Sequence, residues 1–213
     1  MSFGNNSFCA VDLGSHKVTV AIGEKAENNG IKILGVSQKR SKGIKQGSVI
    51  NLEMAMETLN AAIDEAKSIA GVDVKEITLG ISAPSIASFN SYGLAAVESG
   101  EVTMEDLAMA IKTAKAVPMS ADTETLHVLQ RDYVVDGQTG VTEPIGMFAV
   151  RLESNVHIVV VSSRLLQNVR KCVASCGYKI NNTVVEQLAS SVATLTSNEK
   201  EMGVCLVNIG ADS

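Results

Sequence analysis

The sequence predicts an α/β fold, a sheet-based domain with helices between its strands, interrupted by a smaller α+β region. Three observations predict it. The first forty residues alternate apolar and polar side chains between Gly-bearing turns, as antiparallel strands do. A helix-period segment and a short apolar run follow, so the chain opens β-β-β-α-β. The last ten residues (VCLVNIGADS) read as a buried strand running into a Gly turn, in the manner of the strand and turn near the N-terminus.

The opening strands are expected at 8–13, 17–23 and 31–38, the third after the turn Asn28-Asn29-Gly30. Beyond a Gly-bearing loop at 41–49, Asn51 can cap a helix whose apolar positions Leu52, Met56, Leu59, Ile63, Ala66 and Ala70 share one face. Gly71 supplies its stop. Residues 77–82 form a short buried strand. At Pro84 the texture changes to the small polar run Ser85, Ser88, Asn90 and Ser91, and a domain boundary is placed there. Thr103-Met104-Glu105-Asp106 has the form of a capping box, opening a helix with Leu107, Ile111, Ala114 and Val117 inward. Strands are expected at 125–135, 146–152 and 155–161, with a Gly/Pro loop over 136–144. Ser162 or Ser163 can cap a helix at 164–175 that ends at Gly177. A strand at 179–185, a helix at 187–196 and a terminal strand at 203–209 are expected to complete the first block's sheet.

Composition excludes several functions. The 213 residues are 46% hydrophobic and 19% charged, enough for a sizeable core. Eighteen basic against 23 acidic side chains give a net charge of -5, no footprint for wrapping nucleic acid or adhering to anionic lipid. Aromatic residues are only 3%, with no Trp, so stacking platforms for bases are not expected either. No basic n-region precedes an apolar stretch, and the most apolar segment, 156–161, is far shorter than a membrane span, so the expected location is cytoplasmic. Cys9, Cys172, Cys176 and Cys205 form no C-x-x-C pair. Cys172 and Cys176 stand one helical turn apart, able either to share a ligand or to be two small buried side chains.

The turn Asp12-Leu13-Gly14-Ser15-His16-Lys17 is the candidate for chemistry. Gly there lets a phosphate approach the backbone, whose N–H groups become donors. Asp12 at the strand end would hold Mg²⁺ through water, since that ion dehydrates reluctantly. A plain hairpin turn explains the same residues. His16 could meet a phosphate oxygen, whereas His127 and His157 fall inside strands and read as packed or surface imidazoles. No spacing suggests a nucleophilic triad.

The turn at 11–17, the β-β-β-α-β block and the motif at 206–210 together resemble the actin, Hsp70 and sugar-kinase superfamily. GIKQGSVIN at 43–51, Ala114-Lys115-Ala116-Val117, LHVLQRDYVVD at 126–136, the Gly-Val-x-x-Pro-Ile-Gly-Met run at 140–147 and Val156-His157 narrow the resemblance to the bacterial cell-division protein family FtsA, over nearly the whole chain. The resemblance implies an actin-like (ribonuclease H-like) subdomain 1A at 1–83 and 163–213, interrupted by subdomain 1C, an interaction domain, at 84–162. It also implies ATP and Mg²⁺ as cofactors, filament formation, binding to FtsZ, tethering of the FtsZ ring to the inner membrane and recruitment of later division proteins.

Residue by residue, Asp12, Gly14, Ser15, His16 and Lys17 match the first phosphate loop, with Asp12 at the metal, and Gly210 begins the second. That second loop is usually Asp-x-Gly-x-Gly-Thr in the superfamily; here Asn208 replaces the acidic residue, which weakens the expectation of metal-assisted hydrolysis. Glu186 or Gln187 is a candidate to orient an attacking water, or simply to cap its helix. Nothing in the sequence matches the second actin-like half, which in the family supplies the adenosine pocket and the FtsZ surface, or the amphipathic membrane helix. The chain is therefore expected to be an N-terminal piece, or the product of a truncated gene, that binds little or no ATP, has no ATPase activity alone, and touches neither FtsZ nor membrane. An actin-like adaptor of type IV pilus assembly and a small-molecule kinase are the alternative readings.

Overall fold

The computed structural model describes residues 7–27 and 30–212, so Asn28 and Asn29 of the expected third-strand turn lie outside the described residues. In chain order the elements begin with β1 (Ser7–Leu13), β2 (Lys17–Lys25), β3 (Ile31–Arg40), β4 (Ile44–Lys45), β5 (Ser48–Val49), α1 (Leu52–Ala70) and β6 (Glu76–Ile81). Next come β7 (Ala87–Ala96), α2 (Met104–Lys115), β8 (Thr123–Val135), β9 (Gln138–Val141) and β10 (Arg151–Ser162). The last are α3 (Ser163–Ser175), β11 (Lys179–Val185), α4 (Glu186–Thr194) and α5 (Ser197–Met202). These form two compact units, Met1–Pro84 with Arg164–Ser213, and Ser85–Ser163.

The first unit is built on a five-stranded sheet in the order β11-β6-β1-β2-β3. β1, β2 and β3 form the antiparallel meander, while β6 runs parallel to β1 and β11 parallel to β6. Alternation puts Cys9, Val11, Leu13, Val18, Val20 and Ile22 on the buried face, joined by Ile77, Leu79 and Ile81. α1 crosses β2 and β3 there, burying Leu59, Ala62, Ile63 and Ala66. Asn51 caps it, its side chain accepting from the Met54 N–H at 3.0 Å, and left-handed Gly71 ends it.

The second unit is an antiparallel sheet, β7-β10-β8-β9, with α2 packed on β7 and β10. The capping box at the head of α2 is formed: Asp106 N–H donates to Thr103 Oγ1 at 3.3 Å, and Thr103 N–H donates to the Asp106 carboxylate at 2.9 Å. The Thr103 hydroxyl also donates to this carboxylate, at 2.7 Å, and that bond, with the one from the Thr103 N–H, holds the Asp106 carboxyl below its usual range. Thr103→Ala should lower stability by about 1 kcal/mol in urea denaturation, the usual worth of an N-cap.

Five expectations need correction. Ser88, Asn90 and Ser91, read as part of a small polar run at the boundary, lie in the strand β7; its helix-facing residues Ser91, Gly93 and Ala95 are small because α2 sits so close, which flattens the alternation. For the same reason the deeply buried positions of α2 are Ala110 and Ala114, with Leu107 and Ile111 only partly buried, and Val117 lies beyond the helix end. The strands expected at 146–152 and 155–161 are one strand, β10, since the Asp136 carboxylate takes the N–H groups of Val150 and Arg151 and holds residues 146–150 off the sheet. The supposed loop after β8 contains β9, joined by Asp136-Gly137, both at positive φ (45° and 90°), as a two-residue hairpin turn requires.

The fifth concerns the C-terminal segment. α4 stops at Thr194, and α5 begins with its own capping box between Thr196 and Glu199. Residues 203–209 then form no strand: Ile209 is 86% and Val207 69% exposed. Their apolar sequence encodes a buried strand, but the segment pairs with neither edge of the five-stranded sheet, β11 or β3, and so forms no ladder.

Candidate phosphate and cation site

β1, β6 and β11 run parallel with matched ends, pairing Asp12 with Gly80, Gly80 with Val184, and Ile81 with Val185. Three chain segments therefore leave the sheet side by side: the turn after Asp12, Ser82 after β6, and Glu186 at the head of α4. The crevice beyond the carboxyl ends of parallel strands is where open α/β sheets take ligands. Here it is a cleft lined by residues 12–17, Gly47, Ser82, Glu186 and residues 208–212. All six residues matched to phosphate loops, Asp12, Gly14, Ser15, His16, Lys17 and Gly210, border this one space.

Local chemistry explains the cleft's shape. A side chain at Gly14 would lie 2.8 Å from the Lys17 carbonyl oxygen, and one at Gly47, where φ is +69°, would lie 2.0 Å from the Ser82 carbonyl oxygen. Both glycines therefore permit backbone approaches that any other residue would block. α4 starts after Val185, which offers no side-chain cap, so its first N–H groups and the positive end of its dipole stand at the cleft beside Glu186.

Asp12 Oδ1 is buried and has no hydrogen-bond partner. Its neighbour across the cleft is Glu186, whose carboxyl is pushed up to about 7, first by burial, then by the negative charge of Asp12 and a hydrogen bond between the two carboxyls. Without a cation the pair therefore shares a proton near neutrality. An orphaned carboxylate oxygen beside a second carboxyl fits Mg²⁺, which takes one or two carboxylates and completes its shell with water and phosphate oxygens. No cluster of three or more metal-binding side chains occurs among the described residues, so a cage made wholly of protein ligands is not the arrangement.

Of the two candidates for orienting water, Glu186 lines the cleft, while Gln187 is exposed and donates to Ser82 Oγ at 3.4 Å. His157 pairs with the Asn90 side chain at 2.7 Å in the second unit, and burial pulls the His127 imidazole down. Sequence reasoning missed a second hollow, floored by Ala10, Ala21, Thr78 and Gly80 and sharing Asp12, Glu186 and Asn208 with the cleft. Small residues at every second position of neighbouring strands were the available signal.

Residues 84–160 match the family model described as the SHS2 domain inserted in FTSA. The chain is 41% identical to the cell division protein FtsA of Pseudomonas aeruginosa over 94% of its length, covering 48% of that relative. It is 40% identical to FtsA of Neisseria meningitidis and 33% identical to FtsA of Escherichia coli K12, with the same coverage in both. It thus spans about half the length of the curated relatives it matches. Among solved structures, the PilM-PilN type IV pilus biogenesis complex matches with a TM-score of 0.56 over 87% of this chain and 49% of that one. The identity is only 8%, so this likeness shows the fold alone, an actin-like ATPase fold. With the match at 84–160 to the domain inserted in FTSA and up to 41% identity over nearly its whole length, the chain is a relative of the FtsA cell-division proteins over about half of their length.

Proposed function

We propose that the chain is the nucleotide-phosphate and partner-recruiting part of a cell-division adaptor. The observation that carries the reading is the convergence of residues 12–17, Glu186 and 208–212 on one cleft at the strand ends. Gly14 to Lys17 would hold the terminal phosphates of ATP, with Asp12, and Glu186 across from it, at Mg²⁺. The bound metal would neutralise phosphate charge. Ser15, His16 and Lys17 supply polar and cationic partners, and the free N–H groups of α4 add donors.

In the whole protein this site would govern self-association into filaments, binding to FtsZ and attachment of the FtsZ ring to the inner membrane. Recruitment of later division proteins is assigned to the second unit, in support of which the match to the inserted domain covers nearly all of it. No helix among the described residues is long and apolar enough to cross a membrane. The pilus-assembly and kinase readings have no observation of comparable specificity behind them.

The cleft offers donors and carboxylates but only Leu13 and Ile209 as large apolar surface, so affinity of these residues for Mg-ATP should be on the order of millimolar. Ligand near its dissociation constant then stabilises the fold by only about 0.4 kcal/mol. A titration with Mg-ATP followed by amide NMR checks this. Resonances of Gly14 to Lys17 and Glu186 should move, and Asp12→Ala should abolish the movement. Shifts confined to the second unit, or unchanged by Asp12→Ala, would overturn the reading.

A further inference from the structure

The nucleotide reading leaves the cysteines on α3 unused. We propose that Cys172 and Cys176 form a two-coordinate site for a soft, thiophilic metal ion of the Cu(I) class. The proposal is independent of the cleft. The two residues lie one turn apart on α3 and its C-terminal turn, where the Cys176 N–H donates to the Cys172 carbonyl oxygen at 3.2 Å. Cys172 is fully buried on the inner face of the helix. Cys176 is half-buried and directs its sulfur towards the Met56 carbonyl oxygen on α1, at 3.8 Å, so the pair has a route to solvent on one side and a packed wall on the other.

Magnitudes decide what such a pair can do. Side chains one helical turn apart have Cβ atoms about 5–6 Å apart. A disulfide needs Cβ atoms roughly 3.5–4.5 Å apart, so oxidation to one would require the helix to distort. Two metal–sulfur bonds of about 2.3 Å laid end to end span roughly 4.6 Å between sulfurs, which the undistorted helix can supply. Zinc would need four ligands, and no group of three or more candidate ligands exists among the described residues. Soft thiolates and a coordination number of two select Cu(I) and its relatives. On binding, two S–H bonds break, two metal–sulfur bonds form and two protons leave to solvent, with no change of oxidation state.

Silver ion, redox-inert and equally content with two sulfurs, is the probe. The exposed Cys205 is first changed to Ser to remove a competing single thiol. The C205S chain should retain one silver ion after desalting, seen by native mass spectrometry. Adding C176S should weaken retention on the order of 100-fold, the gain expected from joining two ligands. Because Cys172 is buried and its replacement could unfold the chain, Cys176→Ser is the deciding variant, with circular dichroism confirming its fold. Retention undiminished by C176S would overturn the proposal. So would one ion held by C172S/C176S/C205S, which would locate the binding at Cys9.

Discussion

Gly93→Ala should unseat α2 from its sheet and lower the stability of the second unit by about 3 kcal/mol or more, beyond the ordinary range of overpacking substitutions. A methyl group there would lie 2.1 Å from the Ala114 backbone N and 2.2 Å from the Ala110 carbonyl oxygen. Neither is the tip of a flexible side chain. Relief requires the helix axis itself to move, and Ala110 and Ala114, both at 0% exposure, would leave the core with it. Ser91 adds to the cost, since its hydroxyl donates to the Ala114 carbonyl at 2.8 Å and ties the same turn of helix to the same strand. Gly100→Ala is the comparison. Its φ is +79° but its surroundings are open, so it carries only the backbone penalty of about 1 kcal/mol. Urea melts read by fluorescence of Tyr92 and Tyr133, both in this unit, separate the two cases. If Gly93→Ala costs no more than Gly100→Ala, the close approach of helix and strand is not a determinant of this fold.

Local signals were readable wherever the chain satisfies its own backbone. Asn51 with Gly71, and Thr103 with Asp106, start or stop helices through bonds within four residues, and the sequence carries them openly. β11 spans the residues expected of it because Tyr178 and Val185 are bracketed by a Gly turn and a helix start. β7 was hidden because its inward residues are chosen for closeness to α2, not for hydrophobicity. At 203–209 the apolar pattern was plain, yet a strand is a statement about a neighbour, and the neighbour is not encoded in the segment. The site divides in the same way. The turn at 12–17 is a local motif, whereas the meeting of Asp12 with Glu186 depends on the parallel registers of β1, β6 and β11. No spacing along the chain expresses that register.

That meeting makes stability depend on pH. Glu186 has its carboxyl raised from 4.5 to about 7, so in this interval the folded chain binds more protons than the unfolded one. The favourable contribution is complete below about pH 4.5 and is lost as pH rises through 7, where both carboxylates are charged and face each other. Solvent reaches the half-buried Glu186, which reduces the effect to about 1–2 kcal/mol. In metal-free buffer, urea melts of the wild type should therefore fall by that amount between pH 4.5 and 8, relative to Glu186→Gln. The amide keeps the size of the side chain, can donate to Asp12 and cannot ionise, so its own profile reports only the other titrating groups. Parallel profiles for the two proteins would show that Glu186 and Asp12 do not share a proton. A steeper fall in the wild type would mean that above pH 7 two adjacent anionic groups stand at the strand ends, which is the charge that the proposed Mg²⁺ requires.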